Sequence, residues 1–80
     1  MSQVDGTVER LLAEVLQVPI TTVTDDLTMK ETDAWDSLKH MELIVSVEQA
    51  FNLQLSFDEI VTMQSVREIK RVLKTRTASN

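Results

Sequence analysis

Val8, Leu11, Leu12, Val15 and Leu16 fall at i, i+3, i+4, i+7 and i+8, the spacing of one apolar helix face. Glu9, Arg10, Glu14 and Gln17 lie on its wet side. Asp5 or Thr7 can cap this helix, and Pro19 disfavours helical geometry at Val18. A helix is therefore predicted over residues 6–17, behind a frayed polar lead at residues 1–6. From residue 19 to 35 the period lapses. Ile20, Val23, Leu27 and Met29 stand there as scattered apolar anchors among threonines and acids. Thr24-Asp25-Asp26-Leu27 reads as a capped turn with Leu27 plugged into the core. An irregular stretch this long is uncommon in a small domain and is usually functional or disordered.

The helical period returns at residues 37–51. Leu43, Val47 and Phe51 make an i, i+4, i+8 stripe for a core. Leu38, Met41 and Val45 make a second stripe, turned to another side and flanked by Glu42 and Glu48. One stripe is enough to bury a helix, so the second predicts a partner. Asp36 is a good N-cap, and Asn52 tolerates the left-handed conformation that ends helices. Leu53 and Leu55 follow as anchors. Ser56 and Glu59 form a capping box for a short helix over 57–62, with Phe57, Ile60 and Val61 expected to pack inward. Ser65 and Glu68 form a second box. Val66, Ile69, Val72 and Leu73 supply the buried face of the last helix, and Lys70, Arg71, Lys74 and Arg76 offset the negative end of its dipole. Residues 77–80 read as a loose tail. The expected fold is all-α: a small four-helix bundle with three main helices and a short third.

Eighty residues allow one domain, with an ordered core over about 6–75. Such a chain buries only about 60–65% of its unfolded surface, too little for a deep catalytic cavity. It has no cysteine, so any thiol it works through must be attached to it. One Gly, one Pro and no Tyr weigh against a sheet-and-turn architecture. No stretch approaches a membrane span and no signal peptide is visible, so the cytosol is the expected compartment. Residues 1–60 hold twelve Asp/Glu against three Lys/Arg, and residues 61–80 hold one against five. The acidic body makes nucleic acid an unsuitable partner and favours proteins with a basic surface. Between Asp25 and Asp36, five carboxylates face only Lys30, which predicts a soft, self-repelling loop.

The chemistry concentrates at Asp36-Ser37-Leu38. With Asp36 as cap, the Ser37 hydroxyl sits at a helix N-terminus, where backbone N–H groups and the positive dipole end suit a phosphate ester. Asp36 would repel such a phosphate, so binding it is not its role. Ser37 with His40 at i+3 as base is a competing reading, but no G-x-S-x-G surrounds the serine and no second base stands out. His40 reads instead as a solvated helix residue. Calcium-loop registers fail from Asp25, which puts Leu27, Met29 and Lys30 at ligand and glycine positions, and from Asp33, which puts Trp35 and Leu38 there. Trp35 precedes the cap, where a residue packs against N4, here His40.

Trp35-Asp36-Ser37-Leu38, Met41-Glu42-Leu43-Ile44, Val47-Glu48 and Phe51 together resemble the phosphopantetheine-dependent acyl and peptidyl carrier proteins. The likeness continues through Leu55-Ser56-Phe57-Asp58-Glu59-Ile60 and Ser65-Val66-Arg67-Glu68-Ile69, nearly the whole chain. It implies that Ser37 carries covalent 4′-phosphopantetheine derived from coenzyme A, and that Asp36 serves recognition by the phosphopantetheinyl transferase. It also implies that Leu38, Met41, Glu42, Val45 and Glu48 border the surface met by acyl-loading and acyl-transferring enzymes. On that resemblance the chain is a monomeric carrier and not an enzyme, with intermediates riding as thioesters. Ala34, where many fatty-acid carriers have glycine, and the Lys39-His40 pair make it look more like a discrete carrier of a specialised pathway. Polyketide, nonribosomal-peptide and surface-polysaccharide assembly stay open. An unmodified helical adaptor is the alternative from another class.

Overall fold

A computed structural model describes residues 3–78 and arranges them as four helices around one apolar core. The first, α1 (Gln3–Leu16), starts earlier than residue 6 because Val4 joins Val8, Leu11, Leu12 and Leu16 inside. Asp5 and Thr7 consequently lie within the helix and cap nothing, while residues 1 and 2 of the expected lead fall outside the described residues. The helix ends at Gln17, whose φ of 58° lets Val18 N–H reach back to the Ala13 carbonyl at 3.1 Å. That six-to-one bond stops the helix just before Pro19 would.

The segment after Pro19 is irregular but tied down. A 3-10 turn at Ile20–Thr22 leaves Ile20 exposed, so it is not the anchor expected, whereas Val23 is buried. Leu27 N–H closes a turn on the Thr24 carbonyl at 3.0 Å, and Leu27 and Met29 pack against the core. Met29 N–H donates to Gln64 O at 2.8 Å and Val66 N–H to Leu27 O at 3.0 Å, which pairs this loop with the link before the last helix.

The helix α2 (Ser37–Phe51) runs between the expected boundaries. Asn52, at φ 53°, ends it in the left-handed region. A complete capping box opens α3 (Phe57–Thr62): Glu59 N–H donates to Ser56 Oγ, and Ser56 N–H donates to the Glu59 carboxylate. Phe57 and Val61 do not pack inward; they share an outward face at i and i+4, 78% and 47% exposed, and Ile60 is the one that packs against the core. In α4 (Val66–Ala78) only half of the second box forms. Glu68 N–H donates to Ser65 Oγ, but the Glu68 carboxylate turns to Arg71. Thr77 and Ala78 are helical rather than tail, and residues 79 and 80 lie outside the described residues.

The basic α4 offsets part of the charge of the acidic body, and the chain stays at net −5. Lys70, expected at the solvated dipole end, is buried, with Nζ 2.6 Å from both Glu9 of α1 and Asp25 of the loop. Arg67 pairs with Asp26 at 3.0 Å and Arg76 with Glu59 at 2.6 Å. Lys74 Nζ lies 2.9 Å from Asp5 Oδ1, an ionic contact off hydrogen-bond geometry. The first two acids of the loop are thus opposed from across the fold, which corrects the expectation of a segment opposed by Lys30 alone. Burial works against the charge on Lys70, but its hydrogen bonds to Asp25 and Glu9 outweigh burial and hold its pKa above the ordinary lysine value. The Lys70 hydrogen bond and charge hold the Asp25 carboxyl below its usual range.

Candidate functional site

Asp36 adopts extended geometry (φ −94°, ψ −175°), and its Oδ1 accepts from Lys39 N–H at 2.9 Å. The first intrahelical bond runs from His40 N–H to Asp36 O at 2.8 Å. Of the orphan donors that open α2, the cap therefore takes the third, and the N–H groups of Ser37 and Leu38 stay uncommitted. Ser37 is exposed on this first turn. The Lys39 ammonium, two residues on, lies 3.7 Å from Glu42. An exposed primary alcohol, two free backbone donors and the positive dipole end fit a phosphodiester on Ser37. The Asp36 carboxylate is occupied as a cap and opposes such a group as a like charge.

His40 is not the solvated residue expected. It is 7% exposed, and both ring nitrogens are bonded. The Trp35 indole N–H donates to Nδ1 at 3.1 Å, with the rings tilted at 37° and their centroids 6.0 Å apart. An indole nitrogen can only donate, so Nδ1 must be the bare acceptor and Nε2 must hold the proton. Nε2–H then donates to the Ile60 carbonyl at 2.9 Å, fixing α3 beside α2. No lone pair is left to take a proton from Ser37, which removes the serine–histidine reading. Trp35, 1% exposed, does occupy the N′ position against N4, joined by a hydrogen bond as well as by packing.

Leu38, Met41 and Val45 line the outward stripe of α2 at 68%, 51% and 49% exposure. Glu42 is solvent-facing beside Lys39. Glu48, expected to border the partner surface, is half-buried, and its Oε2 accepts Leu55 N–H at 2.9 Å and holds the α2–α3 connection. The structure thus gathers Asp36, Ser37, Leu38 and Lys39 at one helix end, with Met41, Glu42, Val45 and Glu48 along the same helix, Glu48 also bonded to the Leu55 backbone. Among the described residues no three His, Asp or Glu side chains gather as a metal site. No described helix is long and apolar enough to cross a membrane.

Sequence reasoning missed the inward roles of His40 and Lys70, although register carried a signal for both. His40, Leu43, Ile44 and Val47 stand at i, i+3, i+4 and i+7, and Val66, Lys70 and Leu73 at i, i+4 and i+7. The family model for the phosphopantetheine attachment site matches residues 6–73, from the first turns of α1 well into α4. The chain accordingly belongs to the phosphopantetheine-attachment-site family of acyl and peptidyl carrier proteins, which hold 4′-phosphopantetheine covalently and carry intermediates without catalysing their chemistry.

Proposed function

We propose that Ser37 is the attachment residue and that the chain is an acyl carrier of a specialised biosynthetic pathway, working in the cytosol. The exposed Ser37 hydroxyl beside two uncommitted N–H groups of α2 is the observation that carries this reading. When bound, the arm supplies the thiol that this cysteine-free chain lacks. The residues around it do simpler work. The open N–H groups offset the phosphodiester charge, Asp36 keeps the first turn formed, and the Trp35–His40 pair fixes that turn to the core. Asp36 also stands beside the serine, where a transferase must approach. Tethering raises the effective concentration of the intermediate at each partner enzyme. Ala34, Trp35, Lys39 and His40 around the serine support a specialised pathway over primary fatty-acid synthesis.

Incubation with coenzyme A, magnesium and a broad-specificity phosphopantetheinyl transferase is expected to add one phosphopantetheine unit to the intact mass. Ser37→Ala is expected to add none. An unchanged wild-type mass with several active transferases would favour the adaptor reading, and a modified Ser37→Ala would move the site.

A further inference from the structure

Oxidants attack the side chains of cysteine, methionine, tryptophan, tyrosine and histidine. The described residues hold all but one of these in or against the core. The chain has no cysteine and no tyrosine. The Trp35 indole and the His40 imidazole are buried and bonded to each other. Met63 is 0% exposed, and Met29 is half-buried against the core. Met41 is the exception, at 51% exposure on the outward side of α2. Among the described residues its thioether is the soft, polarisable sulfur that a small oxidant meets first.

Its place on the helix gives that exposure a consequence. Met41 is four residues past Ser37, one turn and about 6 Å along the axis. Leu38 lies three residues before it and Val45 four after, so Met41 is the centre of the exposed stripe. An unbranched thioether suits an adaptable apolar contact. Its sulfoxide does not, because oxidation turns a flexible apolar side chain into a polar one. An S=O acceptor covered by an apolar partner surface without a donor costs free energy. The side chain points away from the core, so the bundle itself has no reason to loosen.

We infer that Met41 is a reversible oxidation site for peroxides, and that its oxidation weakens docking of partner enzymes beside Ser37, an inference that rests on Ser37 as the attachment residue. A sulfur lone pair attacks one peroxide oxygen and the O–O bond breaks. With hydrogen peroxide the products are the sulfoxide and water; sulfur gives up two electrons and the peroxide takes them. A dithiol-dependent reductase reverses the change: the sulfoxide oxygen leaves as water and the two thiols close to a disulfide. An acylated arm presents a thioester in place of a thiolate, which is the form oxidants attack. Met41 is then the readily oxidised sulfur beside the cargo.

The test treats the full chain, before arm attachment, with limiting hydrogen peroxide, removes the excess with catalase, and maps sulfoxide by tandem mass spectrometry. Met41 is expected to oxidise several-fold faster than Met29 and Met63. The oxidised chain is then a substrate for a phosphopantetheinyl transferase with coenzyme A and magnesium. Its kcat/KM is expected to fall several-fold, through KM, with the melting temperature unchanged. Treatment with the two epimer-specific methionine sulfoxide reductases is expected to restore it. Met41→Leu keeps an apolar stripe and is expected to be transferred as well before peroxide as after. Met1 is retained in that variant, so any effect of its oxidation would persist there. Faster oxidation of Met29 or Met63 overturns the site. An equal loss in peroxide-treated Met41→Leu, or a KM unmoved by the sulfoxide, overturns the effect on docking while leaving Ser37 as the carrier residue. A lowered melting temperature assigns the loss to the fold and also overturns it. Untreated chain that accepts no arm overturns the attachment reading, and the docking effect with it.

Discussion

Both ring nitrogens of His40 are spent inside the fold, one on the Trp35 indole and one on the Ile60 carbonyl. Removing the imidazole would strand a buried indole donor, and an unsatisfied buried group costs about 1–3 kcal/mol. His40→Ala is therefore expected to lose at least about that much stability in urea unfolding, while Ser37 still accepts the arm wherever the variant remains folded. Unchanged stability would mean that the clamp contributes little. An arm lost from a folded variant would restore a chemical role for His40. The same pair explains what could be read beforehand. The N′ position of Trp35 and the cap at Asp36 are local rules, obeyed in a single turn. The inward place of His40 depended on the core stripe, which its chemistry argued against, because a buried imidazole is stable only when both nitrogens find partners and those partners are set by the tertiary fold.

Helix α4 acts as the charge counterpart of α1 and the loop before α2. Its central lysine spans Glu9 and Asp25, whose side chains are 34% and 52% exposed, so part of the attraction is screened by water. Lys70→Met is expected to destabilise by about 1–3 kcal/mol, less than the cost of breaking a fully buried pair. The pH dependence follows from direction. The Asp25 carboxyl is held low by Lys70, and that of Glu59 by the Ser56 backbone N–H and, against opposing burial, by Arg76. Their stabilisation is present above about pH 4 and lost as pH falls through their lowered folded values. The raised Lys70 value works at the other end: its contribution is present below about pH 10 and lost as pH rises through the folded value. Thermal unfolding of Lys70→Met against pH is expected to show a shallower acid limb, with the Glu59 part remaining; an unchanged limb would contradict the coupling. Boundaries of α2 and α3 were legible because caps declare them. The outward turn of Phe57 and Val61 was not, since a six-residue helix has too few positions to fix a face by period.

At the scale of the whole molecule, a rigid bundle fixes one exposed serine at a helix mouth and leaves an apolar stripe running away from it. Association with partner enzymes then divides into charge and contact. Glu42→Lys is expected to slow transfer by a cognate enzyme, with the loss shrinking at high salt, and Met41→Ala to weaken docking with little salt dependence. Equal salt dependence for the two would argue against that division. Glu48→Lys is a poor probe of docking, because it also breaks the bond that holds Leu55 N–H and is expected to cost about 1.5–3 kcal/mol of stability. All of this presupposes where the arm sits. Peptide mapping of transferase-treated protein by tandem mass spectrometry tests that directly, since Ser2, Ser46, Ser56, Ser65 and Ser79 are also present as alternative alcohols. The expected result is phosphopantetheine on the peptide that contains Ser37 and on no other serine. The same mass on a peptide carrying any of those five serines, with Ser37 unmodified, would contradict it.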